Sequence, residues 1–119
     1  MNKNSYYGKL GESIAKNYLI NNGHLIMASN FRLNYDEIDI ITKHNQSLVF
    51  IEVKTRLSSK YGKAEDQLTL KKARKLHRSI NKFLAIHGYL ETRVRADFIA
   101  INLNIGKKMA NIKHYKNIF

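Results

Sequence analysis

Apolar and polar positions alternate with two different periods along this chain. Tyr7, Leu10, Ile14, Ala15 and Tyr18 recur at spacings of three and four, which predicts an amphipathic helix over Ser5 to Asn22 with Gly23 as its stop. The same spacing returns in Ala73, Leu76, Ile80, Phe83 and Leu84, predicting a second helix capped by Thr69 and ended near His87 by Gly88. Elsewhere the rhythm shortens to that of strands. Leu25 to Arg32 reads as a first strand, Glu37–Thr42 and Leu48–Lys54 as a hairpin, Val94 to Leu103 as a fourth strand and Met109 to Tyr115 as a short last one. A right-handed crossover through the second helix sets the fourth strand parallel to Leu48–Lys54. The order α-β-β-β-α-β-β therefore predicts one α/β domain, a mixed β-sheet flanked by helices.

Three polar residues interrupt the apolar hairpin. In Leu-Val-Phe-Ile-Glu-Val-Lys, Glu52 and Lys54 lie on a strand whose neighbours read as buried on both faces, where a charge is costly unless paired or bound to a cation. If His44 to Ser47 form a four-residue loop, Lys43 faces Leu48 and Asp39 falls opposite Glu52. Opposed residues have Cβ atoms roughly 4.5–5.5 Å apart, so two carboxylates can share one ion, and a slip of one residue would turn Asp39 to the wrong face. Hard oxygen donors suit Mg²⁺ or Mn²⁺ and not zinc. From these residues alone a metal site and a structural ion pair are both open.

Charge narrows the partners. Lys and Arg number 21 against 9 Asp and Glu, a net +12 on 119 residues, which favours a polyanion, nucleic acid before anionic membrane. On the second helix Lys71, Lys72, Arg74, Lys75, Arg78 and Lys82 share the side away from the apolar stripe, a face for phosphates or simply for water. Thr55 to Leu68 reads as a polar loop beside the acids, offering Arg56, Lys60, Tyr61, Lys63 and Gln67 to a phosphate backbone. Tyr35 and Arg32 are placed to touch substrate, but Tyr35 reads first as a loop tyrosine covering a hydrophobic edge. Arg95 and Asp97 read as a structural contact, and the five histidines show no ligand spacing. With no cysteine, no apolar run near the ~18 residues that cross a bilayer and no signal-like N-terminus, a cytoplasmic protein is expected.

The segments Glu37-Ile38-Asp39-Ile40-Ile41 and Leu48-Val49-Phe50-Ile51-Glu52-Val53-Lys54-Thr55-Arg56 resemble the hairpin of the bacterial UPF0102 (YraN) family. That family is similar to Holliday-junction resolvases and restriction-endonuclease-like nucleases with a D…(D/E)xK site. Gly8, Gly11-Glu12, Ala15, Asn30-Phe31-Arg32, Gly62, Arg95-x-Asp97 and Ile112-Lys113-His114 extend the likeness over nearly the whole chain. Asp36 stands where the family usually has Gly, and Ala96 where an aromatic is usual.

The resemblance implies a restriction-endonuclease-like fold and a Mg²⁺-dependent endonuclease cutting phosphodiester bonds in structured DNA. Asp39 and Glu52 would hold the metal with the Val53 carbonyl, Lys54 would assist the chemistry, and Glu12, otherwise a solvent-facing helix acid, would turn toward the site. Arg56, Lys71, Lys72, Arg74, Lys75 and Arg78 would hold DNA. A catalytically silent nucleic-acid-binding protein and a ribosome-associated protein are the rival expectations, and the oligomeric state stays open, a dimer among the options.

Overall fold

The structure is a computed structural model describing residues 3–57, 62–88 and 93–118. Helix α1 (Lys3–Asn21) is followed by strands β1 (Leu25–Leu33), β2 (Asp36–His44) and β3 (Ser47–Leu57). A 3-10 turn at Ala64–Gln67, helix α2 (Leu70–His87) and strands β4 (Arg93–Asn104) and β5 (Met109–Tyr115) complete the order. The described strands form one mixed sheet in the order β1-β2-β3-β4-β5, in which β3 and β4 run parallel and the other neighbours antiparallel. The predicted α/β architecture is the one observed.

The helix ends follow from their local chemistry. Gly23 takes φ +87°, letting His24 N–H return to the Leu19 carbonyl at 2.9 Å and close α1. Thr69 caps α2 by accepting from the Lys72 N–H at 3.2 Å, and Gly88 ends it with φ +68°. Each helix covers one face of the sheet. Ala15 and Leu19 of α1 pack with Ile40, Val49, Ile51, Ile99 and Ile101, whereas Leu76, Ile80 and Phe83 of α2 pack with Ile38, Ile41, Phe50 and Ala96. The strand Leu48–Ile51 is buried on both faces as its sequence requires.

The hairpin differs from expectation in its loop. His44 pairs with Ser47, so Asn45 and Gln46 alone make the turn, with Asn45 at φ +53°. The register is unaffected, because the tighter turn only adds one pair beyond Lys43↔Leu48. The segment read as a loop from Thr55 is also shorter: Thr55 to Leu57 extend β3 alongside Ile101 to Leu103 of β4, and residues 64–67 form the 3-10 turn. Parallel pairing with a long β4 keeps the strand going where polarity alone suggested a loop. Lys60 and Tyr61 lie outside the described residues.

Candidate metal and nucleic-acid site

The alternation of β2 breaks at Asp39. Ile38 packs on the α2 face and Ile40 on the α1 face although they are two residues apart. Across the pair, Asn30 of β1 sits in the left-handed region at φ +52°, and no Cα pair forms between Asn30 and Asp39, while Ser29↔Ile40 and Phe31↔Ile38 pair on either side. The β2–β3 ladder likewise ends at Ile40↔Ile51, one step short of Asp39 and Glu52. Asp39 instead turns its carboxylate onto the backbone of β3, accepting from the Val53 N–H at 2.8 Å.

This kink puts Asp39 between two cavities. The larger, about 830 Å³, is lined by Glu12, Asn30, Arg32, Glu37, Asp39, Lys54 and Arg56 among others. The smaller, about 200 Å³, lies toward α2 and is lined by Tyr35, Glu37, Asp39, Glu52, Lys72 and Lys75 together with Leu76 and Ser79. Asp39 and Glu37 belong to both. Burial, and then the Glu52 carboxylate, push the Asp39 carboxyl up to about 8. Burial raises Glu52 as well, opposed by Lys72, Lys54 and Lys75. A desolvated pair of acids that resist ionisation together is a ready place for a cation.

Glu12 reaches the same region because α1 lies tight on β3. At Gly11 a Cβ would run into the Thr55 side chain, so only glycine allows the helix this close. Burial raises the Glu12 carboxyl, while a hydrogen bond with Asn30 and the charge of Lys16 oppose the shift. Asn30 and Glu37 are the site residues that sequence reasoning gave no role. The Glu-x-Asp spacing of Glu37 and Asp39 was a signal for the second. Asparagine tolerates a positive φ without demanding it, so the first left only a weak signal.

The basic side of α2 is not uniform. Lys72 and Lys75 overlook Glu52, and Lys71, Arg74 and Arg78 are exposed on the outer side. Lys82 is engaged, its ammonium 2.7 Å from the carboxylate of buried Asp36, which that hydrogen bond holds below the usual carboxylate range. Tyr35 covers no hydrophobic edge: it stands at the β1–β2 turn with 103% relative exposure.

The remaining polar cluster is structural. Fully buried Asp97 accepts from Arg95 Nε at 2.9 Å and from the Asn117 N–H at 3.0 Å, and lies 2.7 Å from His114 Nε2. Burial pushes Asp97 up, but His114, Arg95 and the Asn117 amide outweigh it and leave the carboxyl below its ordinary value. His24 stacks on His44 with ring centroids 4.0 Å apart. Glu65 is taken up by Lys113 at 2.6 Å and by Asn102 at 2.8 Å, tying the 3-10 turn to the sheet.

Among the described residues no three His, Cys, Asp or Glu side chains converge as a ready metal cage. A cation at Asp39 and Glu52 would complete its shell with a backbone carbonyl, water and substrate oxygens, as Mg²⁺ commonly does. In an extended strand a residue's N–H and C=O point to the same edge, so the Val53 carbonyl would lie on the edge of β3 from which its N–H reaches Asp39. The donor set fits a hard divalent ion.

Fold and site thus define a mixed-sheet α/β protein with a desolvated acid pair beside a basic helix. A family model described as "Uncharacterised protein family UPF0102" matches residues 11–101, and the chain belongs to that family. A UPF0102 protein of Clostridium botulinum (strain Loch Maree / Type A3) is 37% identical over 98% of this chain and 95% of its own length. One of Clostridium novyi (strain NT) is 33% identical over 99% of this chain and 98% of its own length. No described helix is long and apolar enough to cross a membrane.

Proposed function

We propose that this protein is a divalent-metal-dependent endonuclease acting on structured DNA. The observation that carries the reading is the place of Asp39 at the broken end of the β2–β3 ladder, sharing the smaller cavity with Glu52, Lys72 and Lys75 and the larger one with Lys54. Asp39, Glu52 and the Val53 carbonyl would hold Mg²⁺ or Mn²⁺. When bound, the ion supplies a lowered pKa to a coordinated water and neutralises charge on the phosphodiester.

The chain's own groups do the rest. Lys54 offers its ammonium where negative charge builds on the oxygens of the pentacovalent phosphate, an interaction stronger in the transition state than in the ground state. Lys72, Lys75 and Arg56 hold flanking phosphates by charge, without reading bases. Glu12, kept less acidic by burial and steadied by Asn30, orders water at the rim of the larger cavity. Cations dominate and no base-reading motif stands out, which favours recognition of DNA shape over sequence.

A second reading has its own support. Lys72, Lys54 and Lys75 already oppose the shift of Glu52, so the acids can serve as an ion-pair network in a nucleic-acid-binding protein that performs no chemistry. One experiment separates them: cleavage of single-stranded, duplex, flap and four-way DNA in Mg²⁺, with Asp39→Ala as the control. Metal-dependent cutting that disappears in Asp39→Ala supports the nuclease. Binding without cutting supports the silent reading.

A further inference from the structure

Tyr35 occupies an unusual position for an aromatic residue. Leu33 pairs with Asp36, so Asn34 and Tyr35 alone make the β1–β2 turn. Asn34 has a local reason to be there, because it takes φ +58°, a conformation asparagine tolerates better than most side chains. Tyr35 has none. Its side chain is fully exposed, at 103% relative exposure, yet the residue lines the smaller cavity with Asp39, Glu52, Lys72 and Lys75.

The mount beneath the ring is firm. On one side of the turn Leu33 is buried, and on the other buried Asp36 is held 2.7 Å from Lys82 of α2. The tip is therefore fixed relative to the basic helix, with its aromatic face presented to solvent.

We infer that Tyr35 is a stacking platform for an unpaired base of the nucleic acid, which sets the adjoining phosphate beside Lys72 and Lys75. This rests on the nuclease reading and adds the substrate class to it. A tyrosine ring binds a base through its face, and within an uninterrupted duplex both faces of every base are already covered by neighbours. The ring can act only where a base is unpaired: at a flap, a junction or a boundary between single and double strand. A protein hot spot would set its aromatic anchor in a desolvated apolar pocket, whereas this ring shares its cavity with two lysines and three acids.

The test uses the full chain in EDTA, so that nothing is cut, and two DNAs of one sequence: an uninterrupted duplex, and a flap whose first unpaired base is 2-aminopurine. Wild-type protein is expected to quench the 2-aminopurine and to prefer the flap, and Tyr35→Ala to lose both the quenching and roughly tenfold of that preference. Tyr35→Phe and Tyr35→Trp, which keep a ring, should retain them. Equal quenching and equal preference in wild type and Tyr35→Ala overturn the inference, as does a wild type that binds flap and duplex alike. Either result leaves the nuclease reading standing. A wild type that binds neither DNA overturns both.

Discussion

Asp39 and Val53 are joined by a bond that a regular hairpin does not make: the side chain of one strand accepts the backbone N–H of the other at 2.8 Å. One carboxylate oxygen is thereby fixed on β3 while the ladder beside it stays open. Together with the kink at Asn30, this bond brings Asp39 to the border of two cavities rather than into one face of the sheet.

Metal binding should therefore depend steeply on pH. The Asp39 carboxyl sits at about 8 in the metal-free protein, and Glu52 is raised in the same direction, so a cation must displace a proton below that pH. Mn²⁺ affinity measured by calorimetry should climb by up to roughly tenfold per pH unit between 6 and 8 and then level off. Asp39→Asn should abolish binding. A flat profile across this range would remove Asp39 from the ligand set.

The fold and much of the site could be read from the chain because they rest on periodicity. Thr69, Gly88 and Gly23 mark the helix ends by their own conformational preferences, and the alternation in Leu48–Val53 sets the register that leads toward Asp39 and Glu52. The kink could not be read. It accompanies Asn30 at a positive φ opposite Asp39, a conformation that asparagine tolerates but does not demand, so residue type alone did not mark it. The exposure of Tyr35 was hidden for the opposite reason: its turn is so short that no edge lies beneath the ring to be covered.

Gly11 should tolerate no side chain. A Cβ there collides with Thr55, and α1 can retreat only by uncovering the apolar face around Ala15 and Leu19. Gly11→Ala should cost roughly 1–3 kcal/mol, seen as a lowered melting temperature. Thr55→Ala, which removes Oγ1 and Cγ2, should restore part of the loss when combined with it, a coupling that a double-mutant cycle measures. Purely additive effects would show that the two residues do not press on each other.

His24 should withdraw its share of stability in acid before ordinary carboxylates titrate. Burial first, then the neighbouring charges of His44, Arg95 and His114, bring His24 down from 6.5 to about 4, so the folded chain holds it neutral. A depressed folded pKa gives stability that is complete above the unfolded value and lost as pH falls toward the folded one. The stability difference between wild type and His24→Gln in urea unfolding should shrink by roughly 3 kcal/mol between pH 6.5 and 4, against the opposite slope of Asp39, whose raised folded pKa stabilises the fold as pH falls through the same window. Asp97, also depressed, adds its loss below the ordinary carboxylate range. A pH-independent difference between wild type and His24→Gln would show that His24 titrates elsewhere.

Lys54 should separate binding from chemistry. On the proposed reading, Lys54→Ala leaves both acids in place but removes a cation that acts mainly as the phosphate oxygens gain charge. Mg²⁺ affinity should hold while the cleavage rate falls by roughly two to three orders of magnitude. Lys54→Arg should rescue incompletely, because a planar guanidinium does not reproduce a compact ammonium. A rate equal to wild type in both variants would place the chemistry elsewhere.

The cations of α2 should divide into two groups. Lys71, Arg74, Lys75 and Arg78 are exposed, whereas Lys82 is bound to Asp36. If phosphates lie along the exposed set, changing those four to Ala should weaken DNA binding about equally for all sequences. Each lost contact should also take about 0.9 from the slope of log K against log salt on duplex DNA. Lys82→Ala should leave that slope alone and instead lower the melting temperature, because it strands a buried carboxylate at the start of β2. An unchanged slope in the fourfold variant would mean that the helix face is only solvated, and a slope change in Lys82→Ala would mean that DNA competes with Asp36 for the lysine.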